Sequence, residues 1–162
     1  MLATTACAAG APPAAHAHAG RATTAPSATA GAGVPRRILA ARYLAVAEAG
    51  NRRLEIDFDG LERHDHSDLA RAQGDLRDAA ATEHLFDRRV LALTFPPAVE
   101  RIVRALFWLN EVRAQLTTRA AASRTLAQLR GYEGQLTAAN QPVEQAVGTI
   151  RKDLGLPPPD TS

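Results

Sequence analysis

The densest group of titratable side chains in the chain is Asp57, Asp59, Glu62, His64, Asp65, His66 and Asp68. Imidazole nitrogens beside carboxylate oxygens suit zinc or a similar divalent ion, and His64, His66, Asp65 and Asp68 are the donors such a site would use. The same run also reads as a solvated turn whose acids sit where the positive end of a following helix dipole favours them. That plainer reading is the expectation, and no metal or other cofactor is expected. His16-Ala17-His18 places two more imidazoles close together, which is too few ligands for a strong site.

Catalytic arrangements are harder to find. No Gly-x-Ser-x-Gly turn is present, and Ser67, Ser123 and Ser162 have no evident base with a group to orient it. Phosphate chemistry would need a glycine-rich loop after a strand, and no segment reads as a convincing strand. Di-iron chemistry in a helical bundle needs inward Glu-x-x-His pairs, yet no Glu has a His three residues on. His84, beside Glu83, reads as a surface residue. The chain is therefore expected not to be an enzyme.

The elements that would carry these residues are helices. In a first helix, about 36 to 63, Ala40, Leu44, Ala47, Asn51, Leu54, Phe58 and Leu61 recur at alternating steps of three and four. A second, about 67 to 93 with Ser67 as candidate N-cap, repeats the pattern through Leu69, Ala72, Leu76, Ala79, Glu83, Phe86, Val90 and Leu93. Pro96-Pro97 restarts the chain into a third, with Ile102, Leu106, Leu109, Arg113 and Leu116 together and Asn110 at the edge. A fourth, from about Ser123, runs through Leu126, Leu129, Tyr132, Leu136, Ala139, Val143, Val147, Ile150 and Leu154 and stops at Gly155. Pro142 lacks the amide proton that Ala138 would accept, so this helix is expected to kink or split there. Short connections favour antiparallel neighbours, and the fold expected is an all-α, up-down-up-down four-helix bundle.

Each of the first three stripes is broken by a polar residue. At ~1.5 Å of rise per residue, Asn51, Glu83, Asn110, Arg113 and Tyr132 all fall roughly 18 to 27 Å along their own helices, within one layer. Side chains lean toward the N-terminus of their helix, which tilts Glu83 and Arg113 together if their helices run antiparallel. A buried polar layer is predicted, with Glu83 paired to Arg113 and Asn51, Asn110 and Tyr132 nearby. Such a layer fixes helix register; the alternative is a ligand pocket between helices, whose polar groups would orient a small molecule. Phe107 and Trp108 flank the third stripe and either widen the core face or leave one ring exposed as an interface anchor.

Composition bounds the partners. The 162 residues include nineteen basic and seventeen acidic side chains, and the basic ones are all Arg except Lys152. They alternate with carboxylates instead of gathering on one face with aromatic residues, so nucleic-acid binding is not expected. The longest apolar run, Ala105 to Leu109, is far too short to span a bilayer. Residues 1–34 are nearly all Ala, Gly, Pro, Ser and Thr, which predicts a disordered leader. Residues 35–156 form the bundle domain, and 157–162 a proline-rich tail. Ala3-Thr4-Thr5-Ala6-Cys7 resembles a bacterial lipobox, which makes Cys7 a candidate lipid-attachment site. Only six residues precede Cys7, so this reading expects a basic and apolar signal segment upstream.

Arg42 to Ala47, Asn51 to Leu54, Phe86 to Arg89, Asn140 to Glu144 and Asp153 to Pro157 resemble uncharacterised secreted or lipoprotein-like helical proteins of actinobacteria. The resemblance spans about residues 36 to 160 and implies export without implying an activity. The function expected is a non-enzymatic, extracytoplasmic interaction or structural module. It would be anchored to the membrane surface through lipid or secreted, with another envelope protein as partner. Without an upstream signal segment the protein would be cytoplasmic. The alternative is a bundle that binds a small molecule or a metal.

Overall fold

The structure is a computed structural model and describes residues 34–159. Cys7, His16 and His18, with the predicted leader, lie outside the described residues. Five helices make up four limbs: α1 (Arg36–His64), α2 (Leu69–Leu91), α3 (Pro97–Ala121), and a bent fourth limb of α4 (Leu126–Arg130) and α5 (Glu133–Leu154). The fold is an all-α antiparallel four-helix bundle. No strand occurs among the described residues, and no described helix is long and apolar enough to cross a membrane.

The helix ends follow from local chemistry. The carboxylate of Asp68, not the hydroxyl of Ser67, caps α2: it accepts from the Arg71 amide at 3.1 Å. Ser67 belongs instead to the turn, where its amide donates to the His64 carbonyl. Pro97 occupies the first turn of α3, where its missing amide proton would have had no partner. Thr125 caps α4 through the Gln128 amide, while the Gln128 side chain accepts from the Arg124 amide. At the far end of α5, Gly155 adopts φ 75°, a left-handed conformation that spares it the Cβ clash other residues meet. The Leu156 amide then reaches back to the Arg151 carbonyl and closes the helix.

The bend in the fourth limb lies at Gly131–Tyr132, and Pro142 sits inside the continuous α5. A proline without an amide proton weakens one turn but does not end this helix, because Val143, Ile150 and Leu154 beyond it are anchored in the core.

Packing runs in sequence order. The principal interfaces are α1 with α2, α2 with α3 and α3 with α5, whereas α1 meets α5 over a much smaller area. The core has two parts. One, around Leu39, Tyr43, Val90, Leu106, Ile150 and Leu154, fills the end where α1 starts and α5 finishes. The other, around Ala72, Leu76, Ala120, Ala121 and Leu129, fills the opposite end beside α4.

The rail of α1 that faces α2 is Tyr43, Gly50, Asp57 and His64, spaced one heptad apart, and it differs from the expected Leu44, Asn51 and Phe58. The seam's second rail, Ala40, Ala47, Leu54 and Leu61, is as expected. Small and polar residues let α2 approach: a Cβ on Gly60 would lie 2.7 Å from Asp75 Oδ1, so a larger residue there would have to displace the Asp75 carboxylate. His64 Nδ1 meets Asp75 Oδ2 at 2.8 Å one turn further on.

Candidate functional site

Between the two apolar clusters lies a belt of polar side chains. Glu83 on α2 and Arg113 on α3 meet with Oε1 and Nε 3.0 Å apart; the Glu83 side chain is fully covered and that of Arg113 is 15% exposed. The contact is an ion pair without the alignment of a directed hydrogen bond. Glu83 Oε2 has no hydrogen-bond partner among the described residues. Thr117 sits one turn after Arg113 and donates its hydroxyl to the Arg113 carbonyl at 3.0 Å. On α5, Asn140 accepts from Arg113 Nη1 through Oδ1 and donates through Nδ2 to Glu144.

Two further buried acids flank this pair. Asp87, one turn beyond Glu83, accepts from the Asn110 side chain at 2.7 Å. Asp57 on α1 accepts from the Thr82 hydroxyl at 3.0 Å and lies 3.2 Å from Arg53 Nε. Burial pushes all three carboxyls above the usual carboxylate range, since a charge removed from water is costly. Glu83 rises to about 7, with Arg113 opposing the rise and Asp87 adding to it. For Asp87 the Asn110 hydrogen bond is the first opposing influence, and for Asp57 it is the Thr82 hydroxyl.

The predicted layer is thus partly assembled and partly rearranged. Glu83 and Arg113 come together. Asn110 is buried, but it pairs with Asp87 and occupies the middle of its helix face, not the edge. Asn51 is exposed and takes no part, because Gly50 holds the inward position beside it. Tyr132 is half-buried against Leu76, Ala120 and Leu129 at the α4 end, away from Glu83. The bend at Gly131–Tyr132 restarts the helix, so the residue of the fourth limb at the level of Arg113 is Asn140, about two turns on.

Asp57, Asp87, Thr117 and Asn140 were absent from the predicted layer. Asp87 follows Glu83 by four residues and so shares its face, which is the signal that could have found it.

The Asp and His turn does not assemble into a metal site. No group of three or more such side chains is placed to hold an ion among the described residues. His64 is committed to Asp75, Asp68 caps α2, and Arg130 of α4 reaches the Asp65 backbone carbonyl and His66 Nδ1, while Asp65 Oδ1 lies 3.4 Å from His66 Nε2. His84 is half-buried, with Nδ1 3.6 Å from Glu111. Trp108 is 66% exposed, and the half-buried Phe107 packs edge-on against it at 5.5 Å between ring centroids.

Because α1 and α5 barely meet, hollows open between them. One of 230 Å³ is lined by Phe58, Glu83, Arg113, Thr117, Thr137 and Asn140, with Leu136 at its border. A second, of 210 Å³, is walled chiefly by Leu61, Leu76, Ala120, Leu129 and Leu136. Phe58 is 41% exposed because it stands in this opening, not because it faces bulk solvent alone. Two other hollows, of 270 Å³ beside the α2–α3 turn and 390 Å³ beside His84, have no buried charge in their walls. No protein-family model, curated protein or solved structure matches the chain.

Proposed function

We propose that the protein binds a small, partly apolar molecule in the cleft between α1 and α5. One observation carries the reading: a fully covered glutamate whose Oε2 lacks a partner among the described residues, held by one arginine, floors a 230 Å³ opening. Unpaired buried polar atoms and a half-satisfied ion pair lower stability, so a layer that served only helix register would gain by pairing every polar atom within itself. Apolar walls with a few convergent polar groups are the usual makeup of a ligand cleft.

N-phenyl-1-naphthylamine, a neutral fluorophore of suitable size, tests the reading. The wild-type chain should bind one equivalent with a blue shift in emission. Thr137→Trp, at an exposed position of α5 bordering both hollows, should fill the cleft and remove that binding while helix content stays unchanged. Absence of one-site binding, or binding untouched by Thr137→Trp, overturns it.

A second reading, an interaction module of the cell envelope, is favoured by Trp108 and Val112, which lie one turn apart on α3 and are 66% and 58% exposed. The lipobox-like Ala3–Cys7 and the resemblance to exported proteins support a tethered setting for it. Trp108 is the sole tryptophan, so its emission reports directly whether a partner covers that face. A blue shift on adding envelope extract, lost in Val112→Asp, is the expected result of this reading.

A further inference from the structure

The two hollows share Phe58, Leu136 and Thr137, so they are halves of one groove with unlike linings. One half is floored by an ion pair; the other is mostly leucine and alanine, with Asp65, Arg130 and Glu133 also in its lining. Such a container matches a molecule with a polar head and a hydrocarbon tail, and the remaining question is the sign of the head.

Glu83 lies beneath Arg113 with its carboxylate fully covered, so a ligand in the groove meets the guanidinium first. Within that guanidinium Nε faces Glu83 and Nη1 donates to Asn140, while Nη2 carries no hydrogen bond within the described residues. Asn140 directs its nitrogen away, to Glu144. The group presented to the groove is therefore a cationic N–H edge, and planar guanidinium edges favour carboxylates.

Resting on the cleft reading above, we infer that the groove takes an amphipathic monocarboxylate. Its head sits on Arg113 Nη2, its tail lies over Leu61, Leu76 and Leu129, and Glu83 takes up one proton as it binds. The charges balance. In the empty groove Glu83 neutralises Arg113. In the filled groove the ligand carboxylate does so, and Glu83 is neutral, its proton drawn from solvent. Two carboxylates around one largely buried guanidinium oppose each other's ionisation, and the fully buried one is the one that protonates.

The surroundings agree. On α2, Asp87 adds negative charge beside Glu83 and His84 stands near Asp87; on α3, Arg113 is the facing cation and Glu111 pairs with His84. On α1, Asp57 is held by Thr82 and Arg53, and α5 contributes neutral Asn140 with Glu144 behind it. Burial already brings Glu83 to about 7, within reach of a ligand-driven change near neutrality.

Calorimetric titration of the full chain with octanoate, 1-octanol and octylammonium at pH 6 and pH 8 tests this, in buffers of different ionisation enthalpy. An aliphatic carboxylate stays ionised across that range, so any pH dependence belongs to the protein. Octanoate should bind one to one, about tenfold tighter at pH 6 than at pH 8, with buffer-dependent heat showing proton uptake at pH 8. Glu83→Gln should bind at pH 8 as wild type does at pH 6, without pH dependence or proton uptake. Arg113→Gln should lose octanoate. If octanol or octylammonium binds as well as octanoate, or octanoate binds without proton uptake, the acid inference falls and the cleft reading stands. If none of the three binds, both fall.

Discussion

At the end of the bundle where α1 starts and α5 finishes, Tyr43, Leu106, Ile150 and Leu154 fill the space between four helices. At the other end, Leu61, Leu76, Leu129 and Leu136 line a groove that α1 and α5 leave open. Arg36 helps fasten the first end, donating to the Asp153 carbonyl as α5 finishes beside α1. At the second end the fourth limb is interrupted at Gly131–Tyr132; Arg130 of α4 donates to the Asp65 carbonyl at the end of α1, but no such tie draws α5 itself onto α1 among the described residues. The contrast teaches that one end of the bundle supplies stability and so permits the other to keep an unfilled space above a buried ion pair. A small domain has little stability to spare, so the closed end must be well packed for the open end to persist.

The contrast is broken most directly by truncating one side chain at each end. Ile150 is 0% exposed and surrounded by apolar neighbours, so Ile150→Ala should cost about 4 kcal/mol through lost transfer energy and a cavity. Leu136 borders both halves of the groove and is only half-buried, so Leu136→Ala should cost about 1 kcal/mol. Chemical denaturation with a constant slope measures both. Equal costs would mean that the groove is packed shut in solution.

The groove end should also respond to pH where the apolar end does not. Glu83 binds its proton more tightly in the folded chain, at about 7, than at the ordinary glutamate value of 4.5. Between these values the folded state holds more protons than the unfolded one, so the stability this group contributes is full below 4.5 and is lost as pH rises through 7. The change amounts to about 3 kcal/mol. Glu83→Gln lacks it, while the raised Asp57 and Asp87 are common to both chains. The stability of Glu83→Gln relative to wild type should therefore improve by about 3 kcal/mol from pH 4.5 to pH 8. A difference that stays flat with pH would show that Glu83 titrates as a solvated glutamate.

How far this was legible in the sequence depends on which signal each residue left. The four limbs, their order and the Glu83–Arg113 pairing follow from apolar periodicity and helix rise. The errors on α1 and α3 share one cause. A heptad seam needs two rails, and hydrophobicity selected Leu44 and Phe58 over Tyr43, Gly50 and Asp57, and set Asn110 at the edge of the third stripe. Helices approach closely where side chains are small or paired across the interface, so polarity at Asp57 concealed its burial, whereas Asn110 was placed in the buried layer but without its partner Asp87. Asn140 was missed for a different reason: a break at Gly131–Tyr132 displaces every height counted from Ser123. The groove itself is a property of α1 and α5 together, and neither periodicity contains it.

The smallest expected effect sharpens the contrast from the apolar side. Tyr43 is 0% exposed, and its ring packs edge-on against Phe95 at 6.4 Å between centroids. Its hydroxyl has no partner within the described residues, and burial pushes it up to about 12, with Arg151 opposing. An unpartnered hydroxyl in an apolar setting is a cost with no return, so Tyr43→Phe should stabilise the chain by about 1 kcal/mol while leaving the Phe95 contact intact. If thermal or chemical denaturation shows a loss of that size instead, the hydroxyl is satisfied in solution. The end built from Leu106, Ile150 and Leu154 would then be polar-anchored too, and its difference from the groove would be one of packing alone.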